Sequence, residues 1–506
     1  MLIRQLKRSR REILALGLLS ACLGRAGTAS TKTPTRLHTN AAREQFDAIG
    51  RTLDSETRAG RATGVSISVA VKGAIIWEGG FGLAHRQGAR PATAHTPFSL
   101  ASITKTFTAA AVMRLVEAGK LDLDAPIDRY LPLPLSRSRF AAQSVTLRLL
   151  GGHAAGLPTL FEMFDQTRTP PTLCDLIRAY GDLAYPAGER YEYANLGYSL
   201  LGVAVSHASG QEFSESLQDL IIRPMGLRDT FFDTDSARMR AAAGRYDEND
   251  RVIPFYTTAT PPSGELYASA HDLNIFAANM MGMGTTGERP LLRRQSLNAL
   301  FSPVFTSRTQ AFTTFGWSGR DVAGERMIVK TGGQPGVAAR LTLLPLRKIS
   351  IAVIANRDDN RELVANISSE IAAALMADWS NPDFHMDDVL PPDAATDDFD
   401  GSWSGSIRNG DKSAGVRILI NVAGAFMCIV GNGNARPIRD MKTHSRTLTF
   451  NVDGGLSEIA ATNGTVRLMD FKLIARDHQL IGRCLSSSNR PGFTWTEPHI
   501  VTLSRS

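Results

Sequence analysis

Phe98-Ser-Leu-Ala-Ser102-Ile-Thr-Lys105-Thr-Phe-Thr-Ala-Ala-Ala-Val-Met-Arg-Leu-Val-Glu-Ala-Gly119 reads as one helix with a nucleophile at its mouth. Apolar residues recur at Ile103, Phe107, Ala110, Ala111 and Leu115 with helical spacing, Gly119 supplies a left-handed stop, and Asp122 and Asp124 open the next loop. Ser102 and Lys105 are three apart on such a helix, so their side chains share a face and the amine can reach the hydroxyl. A serine hydroxyl is a poor nucleophile until a base takes its proton, and a helix N-terminus favours the negative charge that develops there. The same S-x-x-K spacing also fits an N-cap beside an exposed lysine, so the reading depends on partners elsewhere in the chain.

Two further stretches supply them. Tyr193-Ala-Asn195 lies within Pro186-Ala-Gly-Glu-Arg-Tyr-Glu-Tyr193-Ala-Asn195-Leu-Gly, and Lys330-Thr331-Gly332 lies within Val329-Lys-Thr-Gly-Gly-Gln-Pro-Gly336. With these the chain resembles the serine β-lactamase and penicillin-recognising family, in which S-x-x-K and K-T-G elements form a set. Y-x-N in place of S-D-N points to the branch of class C β-lactamases, D-alanyl carboxypeptidases and family VIII esterases. Glu117-Ala-Gly-Lys-Leu-Asp-Leu-Asp124, His153-Ala-Ala-Gly-Leu-Pro158 and Ser263-Gly-Glu-Leu-Tyr-Ala-Ser-Ala-His-Asp272 look like landmarks of the same branch.

The resemblance implies acyl transfer through a serine ester, with Ser102, Lys105 and Tyr193 catalytic. It implies that Asn195 orients Lys105 and a substrate amide, and that Lys330 and Thr331 meet a substrate carboxylate. The oxyanion hole would be the backbone N–H groups of Ser102 and Gly333, with the small Gly332 and Gly333 allowing close backbone approach. Either the tyrosine or the lysine takes the serine proton. A free phenol, with a pKa near 10, is a poor base at neutral pH, and the ammonium groups of Lys105 and Lys330 are expected to lower it. No E-x-x-L-N segment of the class A type is present to activate a deacylating water. Lysine at position 330 leans toward substrates with a free carboxylate, although family VIII members keep both lysines and hydrolyse simple esters. Gly152-His153-Ala154-Ala155-Gly156 stands where the family usually writes H-T-S-G, and His153 is read as structural. The leading function is an exported serine hydrolase acting on an ester, a D-alanyl peptide or a β-lactam. The alternatives are a penicillin-binding sensor that acylates without turnover and a non-catalytic envelope-binding protein.

A chain of 506 residues predicts two domains plus processing segments. The net charge of +7 resides wholly in residues 1–40, where eight Lys/Arg face the single acid Glu12. The remainder is formally neutral, which argues against a nucleic-acid partner. Met1 to Cys22 has a basic start and a short apolar run, the pattern of a secretory signal. Ser9-Arg10-Arg11-Glu-Ile-Leu14 looks like a twin-arginine signal and Leu19-Ser20-Ala21-Cys22 like a lipobox, with a lipid on Cys22 the one membrane link expected; cleavage after Ala29 is the competing reading. Both place the product in the periplasm or envelope. Cys174 reads as a structural thiol, whereas Cys428 and Cys484 leave a disulfide open. The ten histidines show no H-E-x-x-H spacing, so neither metal nor cofactor is expected.

Residues 30–40 read as a tether, Ala41 to Gly60 as a helix, and Val65–Val71 with Ala74–Glu78 as a hairpin turning at Lys72-Gly73. Helical patterning runs from Ser102 to Asn279. Strands return at Phe315–Trp317, Met327–Lys330, Arg340–Leu344 and Ile349–Ala355, and Leu363–Trp379 closes as a helix. This order predicts an α+β fold: one antiparallel sheet with the terminal helices on a face and a helical lobe at one side, spanning 41–380. Residues 381–398 form an acidic, proline-bearing linker, and six short alternating runs in 399–506 predict a small all-β barrel or sandwich. Its opening Gly401-Ser-Trp403-Ser-Gly405 looks lipocalin-like, with Trp403 as core.

Overall fold

Strand β1 (Gly64–Val71) is buried at all eight positions, as a strand covered on both faces must be, and it organises the central sheet. In the computed structural model β1 pairs antiparallel with β2 (Ala74–His85) through the Lys72-Gly73 turn, where both residues take positive φ, 53° and 82°. Its other neighbour is β6 (Ile349–Ala355), followed across the sheet by β5 (Val337–Leu344), β4 (Glu325–Gln334) and β3 (Ser318–Val322). Short strands at Arg90–Pro91 on one edge and Phe312–Thr313 and Phe305–Thr306 on the other bring the sheet to nine strands. Phe315–Trp317, read as a strand, instead forms the turn into β3, with Gly316 at φ 95°. The structure describes residues 40–135, 140, 144–165, 167–232, 236–284, 289–307, 310–322, 324–380, 399–420, 426–431, 433–444, 446–454, 466, 468–490 and 493–506. The signal, the tether and Cys22, and the 381–398 linker, therefore lie outside the described residues.

Register assigns the faces. Trp77, Val69, Ile351 and Thr342 are successive cross-strand partners and so lie on one face. Helix α1 (Asn40–Arg58) stacks Phe46 on Trp77 at 5.0 Å, and α5 (Arg361–Leu375) bonds Ser368 to Thr342, so both terminal helices cover that face. The opposite face carries α4 (Ala270–Met280), whose His271 bonds Glu78 of β2. Buried around α4 are α2 (Thr104–Glu117) and α3 (Asn195–Ser209) of the helical lobe, with Phe107 stacked on Phe276. Among the described residues no helix is long and apolar enough to cross a membrane.

The C-terminal region is a barrel. Eight strands, β7 (Gly401–Asn409), β8 (Lys412–Ile420), β9 (Phe426–Val430), β10 (Arg436–His444), β11 (Thr447–Asp453), β12 (Leu468–Arg476), β13 (Gln479–Arg490) and β14 (Phe493–Arg505), pair each with the next. The first then pairs with the last, Trp403 opposite Arg505, which removes the free edges. Trp403, Ile418, Phe450, Phe471 and Leu480 fill the interior. Cys428 and Cys484 are buried there as separate thiols, and Cys174 is also a free thiol. Strand β14 also pairs with Phe161–Phe164 of the lobe, Trp495 opposite Glu162, so Ala41–Ser506 form one unit.

Candidate active site

Local structure at the nucleophile departs from a single helix. Phe98–Ser99 is a short strand, Ala101–Ile103 a 3-10 turn, and α2 begins at Thr104. Ala101 takes φ 45°, a strained conformation for a residue with a Cβ, and this kink turns Ser102 out of the helix line into the cleft. The C-terminal end follows expectation, with Gly119 at φ 68°.

The three predicted catalytic side chains converge. Ser102 Oγ and Tyr193 Oη share a hydrogen bond of 2.7 Å, and Lys105 Nζ lies 3.1 Å from Ser102 Oγ. Lys105 also donates to the backbone carbonyl of Ser263 at 2.7 Å. Lys330 Nζ is 5.5 Å and Lys105 Nζ 5.0 Å from the centroid of the Tyr193 ring. Lys330, Thr331 and Gly333 line one wall of a cleft of about 600 Å³, which Ser102 and Tyr193 also line. Gly332 lies so close to the nucleophile turn that a Cβ on it would sit 2.1 Å from Leu100 O.

Asn195 does something else. Its side-chain amide donates to Leu160 O at 2.7 Å, and the role expected of it toward Lys105 falls to the Ser263 carbonyl. Ser263 stood in a stretch singled out from the sequence, but a backbone oxygen leaves no signature in residue type. Arg340 and Arg361 are further cleft-lining residues that the motifs did not identify. An arginine inside the apolar run Val337–Leu344 was the available signal for Arg340.

Electrostatics assigns the protons differently from the sequence expectation. Burial, reinforced by the charge of Lys330, pushes the Lys105 amine well below its usual value. Burial alone brings Lys330 down to about 7. Tyr193 moves the other way: burial raises its phenol to about 12, against a smaller lowering from its bond to Ser102. The expected phenolate is therefore disfavoured, because burial opposes a charge on the phenol. Of the two candidate bases the shifts favour an uncharged Lys105 amine over a Tyr193 phenolate.

His153, read as structural, lies behind Tyr193 and is not among the cleft-lining residues. It is buried, its Nδ1 accepts from the Ala194 N–H at 3.2 Å, and its ring lies 4.3 Å from that of Tyr193. Away from the cleft, Glu78, His95 and His271 hold ligand-type atoms within 4.8 Å of one another, but His271 already bonds Glu78 and His95 bonds Asp229.

A family model described as Beta-lactamase matches residues 46–375. The Homo sapiens protein called Putative beta-lactamase-like 1 is 28% identical over 352 residues, 66% of this chain and 69% of that protein. Among solved structures, SurE aligns at a TM-score of 0.64 and 20% identity, covering 92% of this chain and 100% of its own. A Beta-Lactamase/D-Alanine Carboxypeptidase from Pseudomonas syringae aligns at 0.56 and 22%, covering 66% and 98%. At these identities the likeness is one of fold, and the 92% share is large enough to need the C-terminal region as well as the lobe and sheet.

Proposed function

Because the chain belongs to the beta-lactamase family, we propose that it is an exported serine hydrolase forming an acyl-Ser102 intermediate on an ester, a D-alanyl peptide or a β-lactam. The observation that carries this reading is the unbroken chain Lys105 Nζ, Ser102 Oγ, Tyr193 Oη, with spacings of 3.1 and 2.7 Å. Lys105 takes the proton as Ser102 attacks the carbonyl carbon; when the tetrahedral adduct collapses, the Tyr193 phenol protonates the departing group and regains its proton from the Lys105 ammonium along the same hydrogen-bonded chain, so both residues end as they began. The backbone N–H groups of Ser102 and Gly333 are the donors assigned to the developing oxyanion.

Charge supports a substrate with a free carboxylate. Lys330, Arg340 and Arg361 all line the cleft, and none of the described lining residues is acidic. Arg361 lies against Gly333, its guanidinium carbon 3.1 Å from where a Cβ on that glycine would be, which sets a cation beside the assigned oxyanion donor. Export rests on the basic and apolar N-terminal pattern of residues 1–22.

Incubating the protein with benzylpenicillin and with p-nitrophenyl butyrate, then following intact mass and released nitrophenol, tests the reading. Ser102→Ala abolishes the mass increase, and Tyr193→Phe slows nitrophenol release. Lys105→Arg keeps a cation but cannot accept a proton, so it is expected to be as inactive as Lys105→Ala. Full activity in Ser102→Ala refutes the site. Acylation without release would instead identify a sensor.

A further inference from the structure

Tyr193 stands on a segment without regular secondary structure. Between the helix ending at Tyr180 and α3 starting at Asn195 there is neither helix nor strand. The lobe holds this segment by backbone bonds from Ala184 N to Gly156 O, Gly188 N to Ala154 O and Glu192 N to His153 O, and by the Ala194 N–H donating to His153 Nδ1. The barrel adds side-chain anchors of its own.

Tyr185 donates its hydroxyl to Lys472 O at 2.8 Å, Arg190 donates to Thr447 Oγ1 at 3.3 Å, and Arg476 donates to Glu189 at 2.5 Å. Glu192, the residue bonded directly to Tyr193, is held most completely. One carboxylate oxygen accepts from Arg483 Nε and the other from Lys472 Nζ, each at 2.8 Å. Lys472 and Arg483 are cross-strand partners on β12 and β13, so a rigid ladder presents both cations to one carboxylate. Arg483 is fixed in turn by Asp470 Oδ1 at 2.7 Å. Burial alone would raise the Glu192 carboxyl, yet these two cations hold it at about 2, so it stays ionised. Bonds at both oxygens of a buried carboxylate anchor the residue that precedes Tyr193.

We propose that Glu192 is a positioning residue, and that the C-terminal barrel, through Arg483 and Lys472, holds the phenol of Tyr193 at hydrogen-bonding distance from Ser102. The barrel is then a working part of the active site, supplying no reacting group. The inference rests on the reading of Tyr193 as catalytic, and the experiment separates the two.

Full-length Arg483→Met, Lys472→Met and Glu192→Gln are each made alone and combined with Tyr193→Phe, and kcat and KM are measured on a p-nitrophenyl ester beside a circular dichroism check of folding. With the phenol present, each substitution is expected to lower kcat about 10- to 100-fold, the effect of an ångström-scale misplacement, and to leave KM within about threefold. With the phenol absent nothing remains to misplace, so the same substitution costs less than about threefold. Arg483→Lys, which keeps the charge, is expected to recover part of the loss. Lys472 is the safer variant for folding, because its side chain keeps 19% exposure and Glu192 retains Arg483. Wild-type kcat in folded Lys472→Met and Glu192→Gln overturns the clamp, as does an equal loss with and without the phenol. Unchanged activity in Tyr193→Phe alone overturns the catalytic reading and the clamp with it.

Discussion

Adding one methyl group at Gly332 should inactivate the protein while the same addition at Gly333 should not. A Cβ on Gly332 lies 2.1 Å from the carbonyl oxygen of Leu100. An ordinary carbon–oxygen contact is about 3.3 Å, so β4 must retreat from the nucleophile turn by roughly 1 Å. Leu100 is two residues before Ser102, and Gly332 lies between Thr331 and Gly333, so the retreat separates the two halves of the site. A displacement of about 1 Å costs on the order of 100-fold in rate, and the overpacking itself costs about 1–3 kcal/mol of stability. At Gly333 the nearest atoms are those of the Arg361 guanidinium, 3.1 Å away at the end of a flexible side chain, and the backbone N–H is kept. There the expected loss is only a few-fold, about what a side-chain adjustment costs. Both variants are assayed by p-nitrophenyl butyrate hydrolysis and by thermal unfolding. Gly332→Ala within threefold of wild type, or Gly333→Ala equally inactive, refutes the placement of the β4 strand against the Ser102 turn.

Lys330, brought to about 7, is a cation below that pH and neutral above it. KM for a carboxylate-bearing substrate should therefore rise by up to about tenfold per pH unit above 7, while KM for an uncharged ester stays flat; parallel profiles for the two substrates would refute the carboxylate role. Glu192 has a folded pKa of about 2 against an ordinary 4.5, so its contribution to stability is full above pH 4.5 and is lost as pH falls through about 2. That contribution is about 3 kcal/mol, and denaturant unfolding between pH 5 and 2 should show a steeper loss in wild type than in Glu192→Gln. Parallel pH dependence in the two proteins would count against the ion cluster.

The parts of the fold carried by local pattern were legible. Alternation marked the Val65–Val71 hairpin and the run Ile349–Ala355, and helical spacing marked α1, α2 and α5. Two barrel strands were missed. Arg436–His444 carries Pro437 and four basic residues, His444 included, and Phe493–Arg505 carries Pro498, so neither reads as strand in isolation. Pairing with neighbours and the closing bond between first and last strands override those local preferences. In the site, Ser102, Lys105, Tyr193 and Lys330 were readable because chemistry depends on their side chains. The Ser263 carbonyl was not, since any residue provides one. The direction of the Tyr193 shift differs from the expectation because sequence shows the neighbouring lysines but not the burial of the phenol, which is a property of the packed structure.

The pairing of β1 with β6 sets a timetable as well as a sheet. Val65 meets Ala355, so during synthesis the β1–β2 hairpin waits for a partner roughly three hundred residues behind it. Until then the hairpin offers one bare, valine- and isoleucine-rich rim to any passing chain, at the stage when self-association competes best with folding. Slow refolding that improves on dilution is the behaviour such an arrangement builds in.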